Sequence, residues 1–88
     1  MAKYKVLYTK AAIAALKVQP AKRRERVKVI VHMLAANPFA RHTNLDTIKG
    51  EKDAFRYRLG DWRLLYRLDR RAETLLVVDF RPRGRAYE

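Results

Sequence analysis

The sequence predicts a small α+β domain in the order β-α-α-β-β-β, an antiparallel sheet with two helices packed on one face. Three observations lead there. Val27, Ile30, Val31 and Leu34 fall at i, i+3, i+4 and i+7, which marks a helix with one buried stripe. Apolar and basic side chains alternate through two short runs around Gly60-Asp61, which marks a β-hairpin. The chain has 88 residues, 49% of them hydrophobic, which suits one domain spanning 1–88 with a modest core.

Each element can be justified in turn. "YKVLY" at 4–8 alternates Tyr4, Val6 and Tyr8 with Lys5 and Leu7, as a first strand should. Thr9 then offers an N-cap to "KAAIAALKV", a run of good helix formers with Ile13 and Leu16 one turn apart. Pro20 ends that helix or opens the next, which runs from Ala21 to Ala36. Asn37-Pro38 stops it, because the proline ring disfavours helical geometry at the preceding residue. Residues 38–53 read as a polar connector anchored by Leu45 and Ile48. Strands are expected at 54–59, 62–68 and 74–81, with Gly60-Asp61 forming a type II′ turn and "DRRAE" at 69–73 a longer one.

Charge says more about function than composition does. The net charge is +12, from 21 basic and nine acidic residues, and it points to an anionic partner. A membrane surface fits poorly, because the basic residues are not gathered on one helix opposite a broad apolar face. There is no cysteine, which excludes disulfides and thiolate metal sites and fits a reducing compartment. No signal-peptide pattern or long apolar run is present, so the chain is expected to be soluble and cytoplasmic. The two histidines, His32 and His42, lie in a helix and in the connector, too scattered with the carboxylates for a metal site or a histidine-based nuclease. No metal and no cofactor are expected.

The arginines of "AFRYRLGDWRLLYR" carry the sharpest signal. A two-residue loop sets Leu59 opposite Trp62, Arg58 opposite Arg63, Tyr57 opposite Leu64 and Arg56 opposite Leu65. Phe55, Tyr57, Leu59, Trp62, Leu64 and Tyr66 then share the core face, while Arg56, Arg58, Arg63 and Arg67 share the other with Leu65. Like charges facing across strands repel by a few tenths to about 1 kcal/mol. A solvated face, or neutralisation by a carboxylate such as Asp79, would explain one such pair; four arginines favour an anion site. The tail adds Arg81, Arg83 and Arg85, with Tyr87 able to stack on a base. Arginine suits phosphate, because its planar fork donates two parallel hydrogen bonds and keeps its charge. Lys22, Arg23, Arg24, Arg26 and Lys28 form a second basic cluster, suited to RNA phosphates.

"IKGEKDAFRYRLGDWRLLYRL", followed by a strand and "RPRGRAY", resembles the RelE branch of the RelE/ParE superfamily of bacterial toxin–antitoxin systems. The resemblance implies a ribosome-dependent endoribonuclease that cuts mRNA in the decoding site by attack of the ribose 2′-hydroxyl. It also implies partners: a cognate antitoxin, the ribosome and mRNA, and operator DNA only through the antitoxin complex. By the same resemblance Arg56, Arg58, Arg63, Arg83 and Tyr87 line the catalytic cleft; from the basic tail, Arg81 and Arg85 are expected to join the second cluster in binding RNA or the ribosome. Arg56 and Arg63 would stabilise charge on the phosphoryl oxygens, Arg83 would sit near the leaving oxygen, and Tyr87 would orient a base. The RelE pattern carries lysines at the positions of Arg56 and Arg58, and arginine does not give up its proton. Tyr87 then takes the proton, or the ribosome supplies the base, or catalysis is largely electrostatic. The alternatives to cleavage are a ParE-like inhibitor of DNA gyrase and a non-catalytic nucleic-acid-binding relative.

Overall fold

The computed structural model describes residues 3–84. Strand β1 (Lys5–Tyr8) leads into α1 (Lys10–Lys17) and α2 (Ala21–Ala36), followed by β2 (Leu45–Thr47), β3 (Ala54–Leu59), β4 (Trp62–Asp69) and β5 (Thr74–Pro82). The five strands form one sheet in the order β1-β5-β4-β3-β2. Both helices contribute to a core built on one sheet face: Ala12, Val27, Val31, Leu34 and Ala35 meet Tyr57, Leu59, Leu64, Tyr66, Leu68, Leu75, Val77 and Phe80. No helix among the described residues is long and apolar enough to cross a membrane.

The α+β class and the helical stripe agree with the sequence reading, and two features depart from it. The sheet is mixed, not wholly antiparallel: β1 runs parallel to β5, pairing Lys5 with Thr74 through Tyr8 with Val77. Strands β2 to β5 form an antiparallel meander, and the two helices carry β1 to its far edge. The direction of β1 is thus set by the strand it meets, a non-local fact. The second departure is β2, inside the expected connector. It pairs antiparallel with β3, Leu45 with Tyr57, Asp46 with Arg56 and Thr47 with Phe55. Three residues with a charge in the middle give no alternation to read, and short charged edge strands are how sheets avoid aggregation.

The hairpin register is the expected one, with Leu59 opposite Trp62 and Arg58 opposite Arg63. Gly60 takes φ 58° while Asp61 stays out of the left-handed region, as a type II′ turn requires. Between β4 and β5 the register slips: Leu65 faces Asp79 but Tyr66 faces Val77, leaving Val78 as the extra residue of a β-bulge. The bulge reverses the alternation of β5, so that Val77 and Phe80 both enter the core and Asp79 and Arg81 join the opposite face.

Thr9 ties this bulge to α1. Its Oγ1 accepts a hydrogen bond from the Ala12 N–H at 3.0 Å, as an N-cap should, and donates one to the Val78 carbonyl at 2.6 Å. Thr9→Ala removes both bonds, and it should lower unfolding free energy by about 1–2 kcal/mol in denaturant titrations. Tyr66 is almost wholly buried, and its hydroxyl has no hydrogen-bond partner among the described residues. Burial, reinforced by nearby Tyr57, raises its pKa above the ordinary value. The folded state therefore favours the neutral phenol, and this contribution is intact below about pH 10 and lost as pH climbs past it. Tyr66→Phe should be neutral or stabilising by up to about 1 kcal/mol near pH 7. Its alkaline unfolding should begin at higher pH than in the parent, as followed by circular dichroism.

Candidate functional site

The face opposite the helices is built by β3, β4 and the end of β5. Arg58 and Arg63 are directly opposed, and Arg81 faces Arg63 from the other side. Three consecutive strands thus bring arginines into one row, an arrangement that repulsion alone would disfavour.

Local contacts hold the row in place. Arg63 is only 7% exposed, yet it is held by backbone rather than by a carboxylate: Nη1 donates to the carbonyls of Gly60 at 2.9 Å and Trp62 at 2.8 Å. The turn that sets the register therefore also orients the most buried cation. Arg58 Nη2 donates to the Thr43 carbonyl at 2.6 Å, and its Nε lies 3.6 Å from Asp46 Oδ2. Arg81 Nε donates to Asp79 Oδ2 at 2.7 Å, while Asp79 Oδ1 accepts the Phe80 N–H at 2.8 Å. The bulge accounts for this pairing: Asp79 faces Leu65 and serves Arg81, where the sequence had suggested it for Arg63. Arg67 pairs with Glu51.

These side chains line two hollows that share no lining residue. One, of about 340 Å³, opens at the hairpin end and reaches the helix side of the sheet: Arg26 and Ile30 of α2 and the core residues Tyr57 and Leu59 line it with Arg58, Gly60, Arg63 and Arg83. The other, of about 610 Å³, is bounded by Lys49, Glu51, Arg56, Leu65, Arg67 and Arg81. The arginines singled out from sequence are thereby divided: Arg58, Arg63 and Arg83 gather at the hairpin end, and Arg56 lines the other hollow with Arg81. Arg83 is placed by its backbone N–H, which donates to the Asp61 carbonyl at 2.6 Å. Arg85 and Tyr87 lie outside the described residues. Cations outnumber carboxylates around both hollows, so the arrangement can bind and polarise an extended polyanion.

The basic cluster of α2 is dispersed. Arg26 joins the smaller hollow. Arg24 and Lys28 line a separate apolar groove with Tyr8, Ile13 and Val27. Arg23 lies over the Trp62 ring at 5.1 Å and bonds Gln19, and Lys22 is exposed. Trp62 is stacked on Phe80 at 4.9 Å, which places it on the core side as its parity implied. His32 is exposed on α2, and His42 sits against Tyr57 at 6.4 Å. Among the described residues no group of three or more His, Cys, Asp or Glu side chains gathers. Lys49 and Asp46 were missed from sequence, because both fall in the segment read as a polar connector.

Known proteins bear on this geometry. A family model described as the ParE toxin of the type II toxin–antitoxin system, parDE, matches residues 4–87. No curated protein matches the chain. Among solved structures, the archaeal RelE–RelB complex from Pyrococcus horikoshii is 27% identical with a TM-score of 0.81, over 94% of this chain and 98% of that one. The toxin–antitoxin complex RelBE2 from Mycobacterium tuberculosis is 25% identical with a TM-score of 0.75, over 92% and 99%. The isolated Escherichia coli RelE toxin is 18% identical with a TM-score of 0.79 over 93% and 86%, a likeness of fold.

The bulge makes Asp79 structural as well as electrostatic. Asp79→Ala leaves the Phe80 N–H and the Arg81 guanidinium each without that acceptor. It should cost about 1–3 kcal/mol in a denaturant titration, well beyond the effect of an ordinary surface substitution.

Proposed function

The chain belongs to the ParE toxin family of type II toxin–antitoxin systems, and we propose that within it the chain is a RelE-type endoribonuclease acting on mRNA at the ribosome. The observation that carries this reading is the convergence of Arg58, Arg63 and Arg83 on one polar hollow. A toxin that acts by occluding a protein target has no need of guanidinium groups crowded against one another. A phosphodiester does, because its charge rises in the transition state.

The chemistry follows from the chain's own residues. The ribose 2′-hydroxyl gives up its proton to solvent and its oxygen attacks the adjacent phosphorus as the bond to the 5′-oxygen breaks, leaving a 2′,3′-cyclic phosphate and a 5′-hydroxyl. Arg63 is preorganised by the turn carbonyls, so it meets the developing oxyanion without having to reorganise. Arg56, on the same face of β3 as Arg58, supports the same oxygens, and Arg83 donates to the departing oxygen, which takes its proton from water. Tyr87 stacks on a base at the cut. Lys22, Arg23, Arg24, Arg26, Lys28, Arg81 and Arg85 hold ribosomal or messenger RNA phosphates. A cognate antitoxin covers the toxin, as supported by the RelE–RelB and RelBE2 complexes that this chain resembles, and operator DNA is met through that complex.

A ParE-like action on DNA gyrase is the second reading, favoured by the family model itself. Primer extension on mRNA incubated with ribosomes and the full chain separates the two. Cuts within codons are expected, and Arg63→Ala or Arg83→Ala should each slow them about 100-fold or more. Intact mRNA together with inhibited supercoiling would instead establish the gyrase reading.

A further inference from the structure

A third hollow, of about 750 Å³, lies where the segment before β3 meets the turn between β4 and β5. Lys52, Asp53, Arg67, Arg70 and Arg71 line it together with Leu7 and Leu76. It shares Arg67 with the hollow that holds Arg56 and Arg81, and Arg81 faces Arg63 of the arginine row. Cationic surface therefore runs unbroken from the hairpin end of the open sheet face to its opposite end. We propose that Lys52 and Arg71 form a phosphate site for the mRNA strand flanking the cut, an inference that rests on the nuclease reading of this face.

Ion pairs hold the site in place and leave its two cations uncommitted. Glu51 pairs with Arg67, and Asp53 accepts two bonds of 3.0 Å from Arg70. Asp53 takes φ 56°, a left-handed conformation uncommon for a residue with a side chain, and its carbonyl accepts the Leu68 N–H at 2.9 Å. The chain is thus fastened to β4 and its turn on both sides of Lys52. Asp69 Oδ1 accepts the Ala72 N–H at 3.0 Å, which shapes the turn carrying Arg71. Lys52 and Arg71 are exposed, and neither makes a hydrogen bond or an ion pair with a described residue. The lining as a whole carries four cations against two carboxylates.

Continuity favours RNA over an acidic protein segment. Along β4, Leu65 in the middle hollow and Asp69 in this one are four residues apart, about 13 Å of extended strand. A polynucleotide carries a charge at every step, so a strand that enters at the arginine row meets cations over that whole length. Leu7 pairs with Leu76 and Leu76 with Arg67, which sets these side chains in one row across the sheet. Leu7 is 46% exposed, an apolar floor against which a ribose or base can lie. Lys52 and Arg71 supply affinity without sequence preference, as phosphate contacts do.

The test is the affinity of the full chain for uncleavable 2′-O-methyl RNA oligomers, a short one that fills only the arginine row and a longer one that reaches Lys52 and Arg71. Lys52→Ala/Arg71→Ala should weaken binding of the longer oligomer several-fold and leave the short one and the circular dichroism spectrum unchanged. It should also lower the slope of log affinity against log salt by about 1.4, as expected for two single-strand phosphate contacts. Unchanged affinity and slope for the longer oligomer overturn the assignment. So does unchanged oligomer binding with weakened binding to ribosomes that carry no mRNA, which would give the hollow to ribosomal RNA. Loss of polyglutamate binding without loss of RNA binding overturns it too, in favour of an acidic protein segment. None of these readouts requires cleavage, so parent protein that cuts no mRNA fails the nuclease reading separately.

Discussion

The pairing of β3 with β4 through a two-residue turn is the constraint on which the other features depend. Side chains alternate with period two, so a slip of one residue would turn Arg56, Arg58, Arg63 and Arg67 into the helices and expel Tyr57, Leu64 and Tyr66. Gly60 permits the tight turn at φ 58°, and the resulting register puts each aromatic or leucine on the core side. The charged face is thus a consequence of how the core is satisfied. Its arginines are held there by the hydrophobic burial behind them, not by attraction for one another.

Against that background the buried Arg63 is informative. A nearly buried guanidinium loses hydration and must recover it through hydrogen bonds. Two carbonyls of its own turn supply them at Nη1 while Nε is buried without a partner, and no carboxylate among the described residues compensates its positive charge. Exposed ion pairs such as Arg67–Glu51 contribute little to stability, about 0–1 kcal/mol. Their value on this face is orientation, since they hold long side chains in place while cations stay in excess.

The bulge at Val78 couples the two sides of the sheet. It lets Phe80 enter the core after Val77 and at the same step directs Asp79 and Arg81 outward. Thr9 bonds the bulge carbonyl and caps α1, so the helix start, the strand irregularity and the end of the arginine row are joined through one hydroxyl. The last strand consequently delivers Arg83 past the hairpin turn, where the Asp61 carbonyl receives its N–H.

Local patterns alone determined much of this protein. The α2 stripe, the Thr9 cap, the Gly60 turn, the Arg58–Arg63 opposition and the core side of Trp62 each follow from spacing within a few residues. The parallel sense of β1, the strand at Leu45–Thr47, the β5 bulge and the division of the arginines between two hollows were decided by tertiary structure. Those features depend on which distant segments meet. A three-residue strand around Asp46 has no periodicity until β3 lies beside it, and the reversed alternation at Val78 has no meaning until β4 supplies the register. The sequence could present the charges; only the assembled sheet could say which of them share a space.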